Sequence, residues 1–354
     1  MFIKSLSVRN FRNHTSKELL FNPGINIITG ANASGKTNIV EAIYYLSLAR
    51  SFRGVDDYDL IERKKEFAEI SSQVVEGEIK RNIRILVTKK GRSVLVNGKK
   101  VSKLSDLSKC VNVLLFEPKD VLLFRGSPRE RRNFLDINLS KQFPLYLEYI
   151  TRYEKVLRQR NELLKSGKYD ENLLKTTTEL LVKYAGPIIN YRAMYVKDIN
   201  DILIKITRAL TGVKEKIEIQ YKPFVANTSE FASEALEAFN RSLDVDLKHK
   251  ATSIGIHRED ISVSLNGRDI GVYGSQGENR LVALALKISP YFLVKDEDKR
   301  PVIVLDDVMS ELDEEHQARL INFLRKFNQV FITGTELEIE GATHIELKKT
   351  KEVF

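Results

Sequence analysis

"ITGANASGKTNIVEAI", residues 28–43, carries the spacing G-x-x-x-x-G-K-[ST] from Gly30 to Thr37. In a loop of this kind glycines let successive backbone N–H groups face phosphate oxygens, while the lysine reaches the terminal phosphates and the hydroxyl reaches Mg²⁺. The flanks agree. "GINIITG" before it has strand character, and Ile39, Ile43 and Leu46 after it recur at helical spacing. The loop is therefore expected to join a strand to a helix N-terminus, where the helix dipole favours anions. On this reading ATP lies against Gly30, Ala31, Asn32, Ala33, Ser34, Gly35, Lys36 and Thr37. Lys36 also has a catalytic part, neutralising the β and γ charges.

The remaining composition narrows the class. A hydrophobic share of 42% in 354 residues is enough for one large or two to three ordinary domains with substantial cores. Cys110 is the sole cysteine, which excludes an internal disulfide framework, and five histidines without metal-ligand spacing argue against zinc. The start "MFIKSLSVRN" lacks the apolar run of a secretory signal, so a cytoplasmic location is expected. Charge interrupts "VNVLLFEP" and "RPVIVLDD" well before the roughly 18 apolar residues of a membrane helix, so no membrane partner is expected. Lys plus Arg exceed Asp plus Glu by 57 to 48. That excess fits a protein that meets phosphate backbones, and equally a well-solvated basic surface.

Along the chain, "FIKSLSV" alternates like a strand, and residues 66–123 read as an antiparallel lobe with a tight turn at Asn97-Gly98. From Ser127 the pattern turns helical, with Tyr146, Ile150, Tyr153, Leu157 and Leu164 on one face and Ile188, Tyr191, Ile199, Ile206 and Leu210 in a second run. "KSGKYD" at 165–170 is the expected turn between them, and Gly186-Pro187 is expected to kink or interrupt the returning helix. Strands resume near 251, where "ISVSLNGRDI" holds a second Asn-Gly turn. The expected division is a head formed by 1–126 and 251–354, with the β lobe inside it, and an inserted helical arm at 127–250.

A nucleotide site also needs a carboxylate for Mg²⁺. In "RPVIVLDDVMSELD" the apolar run Val302–Leu305 reads as a buried strand ending in Asp306 and Asp307. Standing alone, the pair would suit an exposed turn; with the loop upstream, Asp306 is assigned with Thr37 to the metal and Asp307 to the attacking water. About 270 positions separate Lys36 from Asp306, so a large insertion interrupts the nucleotide-binding fold. Shortly before Asp306, in "YGSQGENRLVALALKI", Ser275 and Gly277 precede a helix marked by Leu281, Leu284 and Ile288, a second anion-binding device.

Phosphate loop, long insertion, Ser-x-Gly loop, double Asp and "SELD", in that order, resemble the α/β head of an ABC-type ATPase of the SMC-like group. "NFRNH" at 10–14, "LLFEPKDVLLFRGSPRERRNFLD" at 114–136, "GIHREDI" at 255–261 and "LDDVMSELD" at 305–313 are similar to motifs of the RecF family. The resemblance implies a replication and repair protein that binds single- and double-stranded DNA and gap junctions, acts with RecO and RecR, and supports RecA loading and the SOS response. It implies an ATP-dependent homodimer, in which Ser275, Gln276 and Gly277 complete the partner's site, and a weak, DNA-stimulated ATPase. A nucleotide-gated clamp without useful turnover and a transport ATPase subunit are the alternatives.

Departures from the wider pattern bear on that reading. The signature loop ends in Glu278 where relatives often have Gln, and Asp307 stands where many ABC proteins use a longer Glu, so slow turnover is expected. Thr333 or Thr335 occupies the region of a switch histidine, no glutamine loop is evident, and Pro290 is expected to end the signature helix. Arg12 is a candidate nucleotide contact. Arg129, Arg131 and Arg132 suit either phosphate contact or a salt-bridge network, and His257 and Arg258 suit either a nucleotide-facing or a structural role.

Overall fold

A computed structural model describes residues 1–167, 170–226 and 228–348. In chain order its strands are β1 (Phe2–Phe11), β2 (His14–Leu20), β3 (Gly24–Thr29), β4 (Phe67–Glu76), β5 (Ile79–Thr88), β6 (Gly91–Val96) and β7 (Lys99–Lys100). They continue with β8 (Val113–Phe116), β9 (Ile217–Lys222), β10 (Asp260–Leu265), β11 (Arg268–Asp269), β12 (Val302–Leu305), β13 (Gln329–Thr333) and β14 (Thr343–Glu346). The chain divides into two compact units. The first holds Met1–Val121, Lys205–Lys214 and the described residues from Arg280 onward; the second holds the described residues of Leu122–Ile204 and Glu215–Asn279.

Two sheets build the first unit. One is antiparallel in the order β2-β1-β4-β5-β6-β7, and the other is parallel in the order β14-β3-β13-β12-β8. Alternation in β1 sends Leu6 and Val8 inward, where they join Ile70, Ile83, Ile85 and Val87. The helix Lys36–Leu48 enters the same core through Ile39, Val40, Ile43 and Leu46, each burial contributing about 2 kcal/mol. Asn97 and Gly98 both have positive φ, 49° and 76°, as the β6–β7 turn requires. Residues 113–116 do not extend the antiparallel sheet. Their unbroken apolar run, buried throughout, pairs in parallel with β12 instead.

The second unit packs the helices Pro128–Gln142, Pro144–Ser166, Phe231–Arg241 and Leu243–His249 and most of Glu171–Thr211 with a sheet of order β11-β10-β9. Contrary to the sequence expectation, Glu171–Thr211 is not interrupted at Gly186-Pro187. Proline costs a helix about 3 kcal/mol, but buried Leu181, Val182, Ala185, Ile188 and Ile189 flank it and packing prevails. Gly186 serves close approach, because a Cβ there would stand 3.2 Å from the Phe231 ring. Of the turn expected at 165–170, Gly167 caps the helix Pro144–Ser166 with φ 68°, while Lys168 and Tyr169 lie outside the described residues.

Buried arginines organise this unit. Arg192 donates to Asp136 (2.8 Å), Glu259 (2.7 Å) and the Ile256 carbonyl (2.9 Å), and Arg160 donates to Asp246 and Thr252, both at 2.7 Å. Burial raises the pKa of Glu259, and the Arg192 charge opposes that rise. Arg131 grips Asp260 through two bonds of 2.8 Å, Arg132 donates to the Glu259 carbonyl, and Arg129 is exposed. Two of the three clustered arginines thus belong to an internal network. Among the described residues no helix is long and apolar enough to cross a membrane.

Candidate nucleotide site

The phosphate loop follows β3, and its shape excludes side chains at two points. Gly30 has φ 148°, and a Cβ there would stand 2.5 Å from the Leu347 carbonyl oxygen and 2.7 Å from Ser34 Oγ. Gly35 has φ 95°, and a Cβ there would meet His14 and, at 2.7 Å, Asn13 Oδ1. Asn13 and His14 lie at the β1–β2 turn, so the "NFRNH" stretch backs the loop. His14 Nε2 lies 3.2 Å from the Gly35 carbonyl, which can only accept, so that nitrogen carries the proton; burial lowers the pKa of the ring. Asn38 donates to Asn13 Oδ1 at 2.8 Å.

Gly35 caps the helix Lys36–Leu48 and its carbonyl accepts from the N–H groups of Asn38 and Ile39 at 2.9 and 3.0 Å, which leaves the N–H groups of Lys36 and Thr37 at the anion-binding end. Lys36 Nζ lies across the loop, donating to the Gly30 carbonyl at 2.7 Å and the Ala31 carbonyl at 3.2 Å. Ala31, Asn32 and Ala33 are exposed along the loop. The buried Ser34 hydroxyl has no hydrogen-bond partner among the described residues. A helix end, an ammonium lying across the loop and a backbone cradle that a Cβ would fill fit a triphosphate.

The acid arrives from β12. Because β13 lies between β3 and β12, all three strands present their carboxyl ends along one edge, the usual ligand edge of such sheets. Asp306, 5% exposed, donates its N–H to the Phe116 carbonyl at 2.9 Å, and its Oδ1 accepts from Thr37 Oγ1 at 3.4 Å and from Thr333 Oγ1 at 2.7 Å. Burial raises the pKa of Asp306, and the two hydroxyl bonds oppose it. Asp307 is exposed, has φ 50°, and donates its N–H to Thr333 Oγ1 at 2.9 Å. One carboxylate beside one hydroxyl suits Mg²⁺, which takes oxygen ligands and keeps waters and phosphates as the rest of its shell.

Arg12 is engaged elsewhere. Its guanidinium holds buried Glu41 at 2.8 and 2.7 Å and the Asp59 carbonyl at 2.9 Å. Sequence reasoning missed Glu41. A signal existed, since Ile39, Val40, Ala42 and Ile43 surround it with apolar residues and a charge so placed requires a partner.

Ser275, Gln276 and Gly277 are exposed in the second unit. Ser275 N–H donates to Glu278 Oε2 at 2.7 Å while Glu278 N–H donates to Ser275 Oγ at 3.2 Å, a reciprocal cap on the helix Gln276–Ile288. Arg125 donates to the Gly271 and Gly274 carbonyls at 3.2 and 2.9 Å and supports the same loop. The helix stops at Ile288, and Pro290 opens the short helix that follows. His257 is held between Tyr153 Oη at 3.0 Å and the Thr252 carbonyl at 3.1 Å, a structural setting. At the position lacking a glutamine loop stands Glu117, directly after β8, paired with Lys119 at 2.8 Å.

Residues 2–346 match the family described as RecF/RecN/SMC N terminal domain. The DNA replication and repair protein RecF of Bacillus cereus (strain G9842) is 35% identical over 363 residues, with 100% of this chain and 96% of the relative covered. That of Lactobacillus delbrueckii subsp. bulgaricus (strain ATCC BAA-365 / Lb-18) is 34% identical over 349 residues, covering 96% and 92%. A solved structure of the recombination mediator protein RecF-ATP in the RecFOR pathway matches at TM-score 0.88 and 33% identity, covering 97% of this chain and 95% of that one. The Smc head domain of Pyrococcus furiosus, at TM-score 0.56 and 18% identity over 95% of this chain and 90% of that one, shares the fold alone. With its parallel sheet, phosphate loop and Asp306 strand in the order of an ABC-type ATPase head, this chain belongs to the RecF family of DNA replication and repair proteins.

Proposed function

We propose that the chain binds ATP with Mg²⁺, pairs with a second copy around the nucleotide, and in that state holds DNA at single-strand gaps, acting with RecO and RecR to promote RecA loading. Hydrolysis is slow and stimulated by DNA, and the work is cytoplasmic. The observation that carries the reading is the approach of Thr37 to Asp306, from residues 269 positions apart, beside a loop that only glycine can shape. A relative at 33% identity solved with ATP supports it.

Mg²⁺, when bound, would supply charge neutralisation to the nucleotide's phosphates. Lys36 leaves the Gly30 and Ala31 carbonyls for the phosphate oxygens, exchanging neutral acceptors for charged ones. Thr37 and Asp306 would hold the metal, and Asp307 would orient the attacking water and accept its proton. Ser275, Gln276 and Gly277 of the second copy close the site, with the Ser275 hydroxyl released from Glu278. The excess of 57 basic over 48 acidic residues supports electrostatic, sequence-tolerant DNA binding whose affinity falls linearly with salt on logarithmic axes.

A static clamp is the second reading, favoured by the short side chain of Asp307 on an unusual backbone. Sedimentation with and without ATP tests the main reading. The parent is expected to dimerise with ATP, and Lys36→Ala to stay monomeric, with an unchanged circular dichroism spectrum and no tight ATP binding. Sedimentation that ignores ATP in the parent contradicts the proposal.

A further inference from the structure

We propose that Thr333 is a positioning residue of the nucleotide site, joining the metal-side carboxylate of Asp306 to the backbone of Asp307. This assignment rests on the proposed ATP and Mg²⁺ site. The direction of each bond follows from the groups involved. A backbone N–H only donates, so Thr333 Oγ1 accepts from Asp307 at 2.9 Å; its own single proton is then free for Asp306 Oδ1 at 2.7 Å. The hydroxyl's single proton and one of its two lone pairs thus go to two adjacent residues of opposite fate. Asp306 is buried, whereas Asp307 is exposed.

Topology explains why this residue has the task. Thr333 ends β13, the strand between β3 and β12, and pairs with Ile28 on one side, while its neighbour Ile332 pairs with Leu305 on the other. It therefore stands beside Ile28, just before the phosphate loop, and next in register to Asp306. Thr333 is 1% exposed and β-branched, so its χ1 is stiff and the hydroxyl cannot wander. Thr335 is exposed.

The backbone supplies an independent observation. Asp307 has φ 50°, a conformation that L residues adopt at a cost of about 1–2 kcal/mol. The bond from its N–H to Thr333 holds that turn, which separates the aim of two consecutive aspartates. With Thr37 and Thr333 both donating to Oδ1, the orientation of the Asp306 carboxylate is set before any cation arrives. A cation at Asp306 and a water at Asp307 would then be held in register by one hydroxyl.

Magnesium titrations of a bound fluorescent ATP analogue, read by anisotropy, test the assignment without turnover. Thr333→Val keeps the side-chain shape and deletes the hydroxyl. It should leave metal-free nucleotide binding within about twofold and raise the Mg²⁺ concentration at half-saturation roughly 10-fold or more, the range for lost support of a metal ligand. Thr333→Ser should return to within about threefold of the parent, and Thr335→Val should match it. If Thr333→Val does not fold, Thr333→Ala carries the same expectation. Parent-like Mg²⁺ dependence in the hydroxyl-free variant overturns the assignment, as does an equal loss of metal-free binding, which would mark a merely structural role. A parent whose nucleotide binding ignores Mg²⁺ overturns the proposed site, and the assignment with it.

Discussion

The guanidinium of Arg12 grips Glu41, a residue of the helix that opens on the phosphate loop, with two bonds, Nε to Oε2 at 2.8 Å and Nη2 to Oε1 at 2.7 Å. Glu41 is completely buried, and Ser51 Oγ adds a third donor at 2.5 Å. Arg12 itself has φ 55° at the β1–β2 turn. The pair thus fastens the turn that carries Asn13 and His14 to the helix whose first residues form the loop.

Arg12→Ala leaves a buried carboxylate without its main partner, so stability should fall by about 3 kcal/mol, with ATP affinity falling only as the loop loosens. Arg12→Lys should recover little, since an ammonium cannot reproduce the paired geometry. Chemical denaturation beside nucleotide binding separates the roles. Unchanged stability with lost ATP affinity would make Arg12 a direct nucleotide contact.

Asp307→Asn keeps the size of the side chain and removes its basicity. It should bind ATP within about threefold of the parent and slow single-turnover hydrolysis at least about 100-fold, the usual scale of a lost general base. Hydrolysis at the parent rate would show that Asp307 is not the base.

The parts of the fold that could be read from sequence are those fixed by local chemistry. The phosphate loop, the Asn-Gly turns and the buried Val302–Leu305 strand each follow from residue type and spacing alone. The polar strand "HTSKELL" carries no strand signal of its own, because its register is dictated by β1 across the turn rather than by its own alternation. The continuous helix through Pro187 is not legible in sequence for a related reason, since packing partners distant in sequence outweigh a local breaker. At the site, Thr37 and Asp306 were legible as a pair. The linkage through Thr333 was not, because it depends on β13 being inserted between β3 and β12.

In a two-fold pair each surface is used twice, so Lys36→Ala and Ser275→Arg should disable different halves of one composite site. Mixed dimers would carry one site with both defects and one with none. After random subunit exchange, activity should recover to roughly a quarter of the parent if sites act independently. Persistent inactivity after demonstrated exchange would place the site within one chain or require both sites to act together.

His257 predicts a pH dependence of stability. Burial is the main cause holding its pKa down at about 4, against an ordinary 6.5. The unfolded chain therefore takes up a proton as pH falls through 6.5, while the folded chain resists until about 4. Stability present above that window is lost within it, by up to about 3 kcal/mol. Denaturation at pH 7 and pH 4.5 should show a smaller drop in His257→Gln than in the parent. Equal drops would mean that His257 protonates as easily in the fold as outside it.

Single-turnover ATP hydrolysis with and without duplex DNA decides whether the chemistry of the bound nucleotide answers to DNA. With enzyme in excess over Mg²⁺-ATP, the parent should hydrolyse slowly alone and several-fold faster with DNA, with Asp307→Asn flat in both conditions. ATP bound and left intact, with or without DNA, would contradict DNA-stimulated hydrolysis and leave a static clamp.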